Sequence, residues 1–330
     1  MSVPHRRRVC AWASLLLSLS LALAACGGGG DGDGDGDGDG DGTGKGDKPG
    51  KPSSSGPDKG LFAEGNVTVG LKKGQPGFNT KKGYRFAGFE SALMQGLADR
   101  GRFEVTTYDL PSLAREEKLK ARAADLIIAT YSITDERDEE VDFTAPYLKT
   151  PQGVLVRKQD DSIKEKADLA GKLVCTASGS TSDPKSVSER ESQKRIEDSL
   201  GVKVTLGTRD DYKECVKALQ AGDFNAVWTD KVILHGFTED TRHYGDVKVV
   251  ENITYDPEQY YGIGLPEGYQ ADCKRLNRML RSWLNTSWRA AFREYFPGLA
   301  KRYPGSFEQR FRPSMAEFRD FEKTSCGRRD

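Results

Sequence analysis

The chain has 330 residues, in which 50 Lys and Arg balance 50 Asp and Glu. Basic residues are scattered and no groove-binding motif occurs, which leaves no footprint for nucleic acid. No histidine pair has zinc spacing and no G-x-S-x-G elbow is present, so neither chemistry is indicated.

Residues 1–25 read as an export signal: His5-Arg6-Arg7-Arg8 is basic, and 9–25 is an apolar run too short and interrupted to span a membrane comfortably. Leu23-Ala24-Ala25-Cys26 puts small residues before a cysteine and resembles a lipoprotein processing site. Such a site implies cleavage before Cys26, lipid on that residue and anchoring in a bilayer. The alternative is an ordinary secretory signal with an incidental cysteine. Residues 26–60 read as a tether, because glycine opposes helix and strand and the regular aspartates from Asp31 to Asp41 repel one another. The calcium-binding nonapeptide has an apolar residue that this run lacks, so no metal is read there. Export permits disulfides among Cys175, Cys215, Cys273 and Cys326; four cysteines allow three pairings, and spacing does not choose.

From residue 61 the pattern is globular. Residues 66–70 (NVTVG) alternate as a strand, and 88–101 carry Phe89, Leu93 and Leu97 at helical spacing, with Gly101 as the stop. A strand over 103–110, a helix over 112–124 and the apolar run 124–130 complete βαβαβ alternation. The alternation restarts with strands over 153–158 and 172–176, a helix over 186–200, a strand at 202–206, a helix over 211–219, the strand FNAVWTD and a strand over 260–265. Long helices broken by prolines are expected from 271 to 321. Two successive α/β units predict two lobes.

Ligands of open parallel sheets lie beyond the carboxyl ends of the strands. That rule selects three polar segments. In the first, Thr130, Ser132, Thr134 and Arg137 follow an apolar strand, and the Arg137 fork suits a carboxylate or phosphate; pairing with Asp135, Glu136 or Asp138 is the plainer alternative. In the second, Ser178-Gly179-Ser180-Thr181 offers exposed amides to an anion, or simply caps the next helix through Thr181 or Asp183. In the third, Asp230 holds an ammonium or caps the following helix, in which His235 reads as packing. Together a basic fork, a hydroxyl turn and a carboxylate complement a molecule carrying both COO⁻ and NH₃⁺, an amino acid.

The ordered motifs ADLIIATYSITDERDEEVDFTAPYL, LAGKLVCTASGST, DYKECVKALQAGDFNAVWTD and YYGIGL resemble the family 3 extracellular solute-binding proteins of ABC importers. ATYSIT, the paired cysteines and YYGIGL look most like the glutamate-binding subgroup of high-GC Gram-positive bacteria. The resemblance implies an α/β, two-lobed periplasmic-binding-protein-like (type II) fold, a Venus flytrap with two hinge strands. Lobe 1 is expected over 61–152 and 254–330, and lobe 2 over 153–253. It implies a lipid-anchored, monomeric binding protein on the extracellular face of the membrane, without cofactor, that hands a free amino acid to the permease. Arg137 would clamp the α-carboxylate with Thr130 and Ser132, Ser180 and Thr181 would close from lobe 2, and Asp230 would accept the α-ammonium. For an acidic ligand side chain the nearest basic match is Lys81, with Lys72 and Lys82 as rivals, and Arg115 as a further group facing the cleft. Glutamate is favoured, then aspartate or glutamine. The subgroup also implies a Cys175–Cys215 bond, and by subtraction Cys273–Cys326 would staple the tail to lobe 1.

Two departures stand out. The usual second acid of the GFDVD motif is Ala92 here, and the carboxyl end is long, with Tyr295, Phe296, Phe307 and Phe311 expected on helices laid over lobe 1. Two other functions share the fold: a sensor that shows its closed form to a membrane receptor, and an arogenate dehydratase-like enzyme. Glu90 and His243 are an available acid and base for the latter, although neither sits in a segment expected at the cleft.

Overall fold

The computed structural model describes residues 59–327 except 73, 84, 184–196 and 199. The export signal, Cys26 and the tether to residue 58 lie outside the described residues, as does most of the helix expected over 186–200.

In chain order the first part gives β1 (Asn66–Lys72), the short hairpin β2 (Thr80–Lys82) and β3 (Arg85–Ala87), α1 (Phe89–Gly101), β4 (Glu104–Leu110), α2 (Arg115–Lys120), β5 (Leu126–Ile128), the single turn α3 (Asp135–Asp138) and β6 (Asp142–Phe143). The middle gives β7 (Leu148–Arg157), β8 (Leu173–Ala177), β9 (Thr205–Arg209), α4 (Tyr212–Ala221), β10 (Ala226–Asp230), α5 (Lys231–Glu239), α6 (Thr241–Tyr244) and β11 (Val247–Val249). The last part gives β12 (Tyr255–Tyr261), β13 (Gly264–Leu265), α7 (Gln270–Thr286), α8 (Trp288–Tyr295), α9 (Pro297–Arg302), α10 (Phe307–Phe311) and α11 (Met315–Thr324).

Apart from the two-stranded β2-β3 hairpin, the strands form one sheet per lobe. The first has the order β4-β1-β5-β13-β6, and the second β11-β7-β10-β8-β9 with β12 also paired to β7. β1 is parallel to both β4 and β5, is buried from Val69 onward and runs on to Lys72, past the expected end at Gly70. The long β7 begins beside β12 and ends beside β10 and β11. β7 and β12 are therefore the two strands that join the lobes, and their register breaks between Tyr255 and Gln259.

Other elements also differ from their sequence-based limits, and the strand expected over 260–265 is divided between the end of β12 and β13. The helix expected over 112–124 is a 3-10 turn at Ser112–Ala114 followed by the short α2. The strand expected at 202–206 lies at Thr205–Arg209, where it pairs in parallel with all of β8. α1 includes Gly101 and is ended by Arg102 in the left-handed conformation. Its start does demand glycine: Gly88 has φ 147°, and a Cβ there would lie 1.9 Å from the Phe78 carbonyl oxygen.

The main core centres on Phe89, whose ring meets Trp283, Trp288, Phe292 and Phe296 from α7, α8 and the residue after it. Phe307 and Phe311 stack on Phe292. The tail helices do not rest on lobe 1 alone. Leu299 N donates to Glu239 Oε1 of α5 at 3.1 Å, and Arg302 Nη1 lies 3.3 Å from Glu251 Oε1, so α9 also meets lobe 2. Cys175–Cys215 and Cys273–Cys326 are both formed.

Candidate functional site

The loop after β5 is shaped by a buried acid. Thr130 has φ 42°, a left-handed conformation that costs a β-branched residue energy. Its amide donates to Glu90 Oε1, which also accepts the Tyr147 hydroxyl, while Glu90 Oε2 accepts Asn79 Nδ2 at 2.6 Å. Burial raises the Glu90 carboxyl to a pKa of about 7, although the three bonds pull it down. Glu90 therefore stands directly behind the loop that carries Thr130, a position its place in the first turn of a helix did not disclose.

Thr134 caps α3 by accepting the Arg137 amide at 3.3 Å. That turn aims the Arg137 guanidinium inward. Nη1 donates to the Ser132 carbonyl at 2.9 Å, Nη2 to the Gly179 carbonyl at 3.0 Å, and Nε lies 3.3 Å from Glu116 Oε1. Arg115 is buried beside it: Nη2 reaches the same Gly179 carbonyl at 2.9 Å, and Nη1 donates to Ala129 and Thr130 carbonyls. Both guanidiniums lie over the Tyr131 ring. Burial, then the charge of Arg115, lowers the Arg137 pKa to about 10.

From lobe 2, Ser180 and Thr181 sit on the turn after β8 and Asp230 at the end of β10. The Ser180 amide donates to the Ala177 carbonyl at 3.2 Å, and its hydroxyl lies 3.2 Å from Thr176 Oγ1 and accepts the Ser182 amide. Asp230 occupies the N-cap place of α5 without a side-chain capping bond. Its Oδ2 accepts the Tyr261 hydroxyl, and its Oδ1 is buried with no hydrogen-bond partner among the described residues. Burial raises its pKa to about 6 against the Tyr261 and Gln152 side chains and the charges of Arg137 and Arg115. His235 packs behind it in α5; burial, Arg302 and Lys231 lower its pKa to about 3.

One cavity joins these segments. It is lined by Ser112, Arg115, Thr130, Ser132 and Arg137 from lobe 1, and by Ser180, Thr181, Tyr212, Asp230 and Ile233 from lobe 2. It encloses about 10 Å³, room for roughly one water molecule. A ligand the size of an amino acid would fit only if the lobes parted. Ser112, Tyr212 and Ile233 carried no sequence signal, being ordinary residues at the starts of helices.

Lys81 is not brought to the cavity. Its side chain is 56% exposed on β2, 3.9 Å from Asp109. The continuation of β1 instead buries its rival Lys72, which donates from Nζ to the hydroxyl of the cavity-lining Ser112. Burial, then Arg115, lowers the Lys72 pKa to about 7.

The model of the bacterial extracellular solute-binding proteins, family 3, matches residues 67–191. The glutamate-binding protein GluB of Corynebacterium glutamicum is 36% identical over 242 residues, 69% of this chain and 77% of that protein. The glutamine-binding protein of Geobacillus stearothermophilus is 31% identical over 220 residues, 64% of this chain and 77% of that protein. The solved structure of an ancestral arginine-binding protein bound to arginine superposes with a TM-score of 0.60 at 28% identity, covering 70% of this chain and 98% of that one. With its two joined lobes and with relatives of this similarity and coverage, the chain belongs to the bacterial extracellular solute-binding proteins, family 3.

Proposed function

We infer that the chain is the substrate-binding component of an ABC importer, acting as a monomer, which captures a polar amino acid and delivers it to the permease. Glutamate is the first candidate, followed by aspartate and glutamine. The observation that carries this reading is the shared cavity in which Arg137 and Asp230 face one space from opposite lobes. Arg137 offers paired donors to an α-carboxylate, and the unpartnered Asp230 Oδ1 offers an acceptor to an α-ammonium. Arg115 and Lys72 add positive charge on the lobe 1 side, which favours a second carboxylate on the ligand over a neutral amide. Names of the relatives support a polar amino acid, since they include glutamate-, glutamine- and arginine-binding proteins.

Calorimetry against the twenty amino acids tests this, using protein unfolded and refolded to strip carried ligand. Saturable stoichiometric binding of glutamate, with weaker binding of glutamine, is the expected result; no binding by any amino acid defeats the reading.

The same proposal places the mature chain on the outer face of the cell membrane through lipid on Cys26. Among the described residues no helix is long and apolar enough to cross a membrane. Cys26→Ala should release the protein into the medium or mislocalise it, and unchanged membrane retention would refute the anchor.

A further inference from the structure

The last helix, α11, lies against both joining strands. Glu317 Oε1 accepts Lys149 Nζ of β7 at 2.8 Å and the Tyr260 hydroxyl of β12 at 2.7 Å. Lys149 and Tyr260 are register partners, and the break in register begins one pair further along, beyond Thr150 and Gln259. The carboxylate thus sits beside the place where the two strands lose regular pairing. Its other oxygen closes the capping box by accepting the Ser314 amide at 2.7 Å, so Glu317 is held from the helix side as well. The Phe321 ring lies 4.8 Å from the Tyr260 ring. At its far end α11 is fixed by the Cys273–Cys326 bond and by Asn277, which donates to Ser325 and accepts the Ala145 amide.

This is more than a loose surface pair. The Lys149 side chain is 13% exposed, and three donors converge on one carboxylate. Although burial alone would raise the Glu317 pKa, the bonds from Lys149, Tyr260 and Ser314 hold it at about 2, so the brace is charged throughout the physiological range.

We propose that Glu317 is a positioning residue for amino-acid capture: by tying β7 to β12 beside their break in register it favours the closed cleft. The inference rests on the reading that the lobes close over an amino acid. The closed arrangement, with Arg115 and Arg137 bonded across the cleft to Gly179, is the one in which the brace is formed. A ligand that binds the closed form best is held in proportion to the population of that form, so loosening the brace weakens capture without touching the cavity.

The test uses the full chain with one dye on each lobe, read by single-molecule energy transfer without ligand, together with the dissociation rate of L-glutamate. Glu317→Gln should shift the free chain toward open distances and speed glutamate release about fivefold to tenfold, at a melting temperature close to that of the parent. Lys149→Met should reproduce the shift, and the double variant should add little to either single change. Tyr260→Phe, which removes the hydroxyl but leaves the Lys149–Glu317 pair, should move the distribution less in the same direction and keeps the test open if Glu317→Gln folds poorly. Unchanged distances and an unchanged release rate in Glu317→Gln and Tyr260→Phe would overturn the proposal. If glutamate does not bind the parent chain, the amino-acid reading fails, while the distances in the free chain still decide the brace.

Discussion

Arg137 Nη2 donates to the Gly179 carbonyl at 3.0 Å, a bond that runs from the loop after β5 to the turn after β8 and so from one lobe to the other. Arg115 donates to the same oxygen. A neutral carbonyl thereby lies between the buried guanidinium of Arg115 and the partly buried one of Arg137. If Arg137 is the clamp proposed above, a ligand carboxylate displaces this carbonyl because its full negative charge and two oxygens match the planar fork, whereas the carbonyl offers one neutral acceptor.

Removing the fork should therefore remove capture and spare the fold. Arg137→Ala is expected to weaken glutamate binding by at least a hundredfold, the loss of a buried charged pair being worth about 3 kcal/mol or more. Arg137→Lys should recover little, because a point charge cannot make the paired bonds. Calorimetry measures both, and far-ultraviolet circular dichroism with a thermal melt checks the fold. Near-parental affinity in Arg137→Ala would reject the clamp.

Gly179 is constrained from a second side. It has φ 72°, and a Cβ on it would fall 2.5 Å from the Leu113 Cα and 2.6 Å from the Leu113 nitrogen, both on lobe 1. Backbone at that distance cannot step aside, so Gly179→Ala should obstruct closure and leave each lobe folded. Small-angle scattering is the direct measurement. The parent chain should contract on adding glutamate and the variant should not; equal contraction would show that the turn moves freely.

The sequence disclosed those parts of the site that obey a general rule. Thr130, Ser132, Arg137, Thr181 and Asp230 could be found because they follow buried strands, where the carboxyl ends of a parallel sheet must present ligand groups. Lys72 was harder. Lysines recur on both sides of the QPG turn, and only the pairing of β1 with strands on both its edges decides that Lys72 is buried while Lys81 is wet. Glu90 was hidden for a similar reason: its partner, the Thr130 amide, lies forty residues away on another element. The tail helices were legible as aromatic and amphipathic, but which lobe they cover depends on single polar contacts such as Glu239 to Leu299 that no periodicity encodes.

Glu90 should also govern how stability depends on pH. Its carboxyl moves from 4.5 to about 7 on folding, so the folded chain binds the extra proton between those values. Stability is then fully present below pH 4.5 and falls as pH rises through 7, by about 3 kcal/mol from this group alone. Glu90→Gln should flatten that limb, with a flip of the Asn79 amide restoring donor-to-acceptor pairing. In that variant Asp230, raised to about 6 by burial, contributes a slope of the same sign, which His235, lowered to about 3, opposes up to about pH 6.5. Denaturant melts of the ligand-free chain at pH 5 and 7.5 measure the difference; equal slopes in parent and variant would contradict the assignment.

Lys72 gives ligand binding a pH dependence of the same direction, from a different group. Burial and Arg115 bring its pKa down to about 7, so above that value the free chain holds it largely neutral. A γ-carboxylate beside it restores the charged form, and glutamate binding at pH 8 should take up close to one proton. Affinity for glutamate should consequently fall above pH 7, approaching tenfold per unit, while affinity for glutamine stays flat. Calorimetry in two buffers of different ionisation enthalpy reads the proton uptake directly. Lys72→Met should abolish the uptake and weaken glutamate far more than glutamine, whereas Lys81→Met, on an exposed strand, should change neither. Equal losses for the two ligands in Lys72→Met would remove its part in selectivity and leave the α-carboxylate and α-ammonium contacts of Arg137 and Asp230 as the whole of recognition.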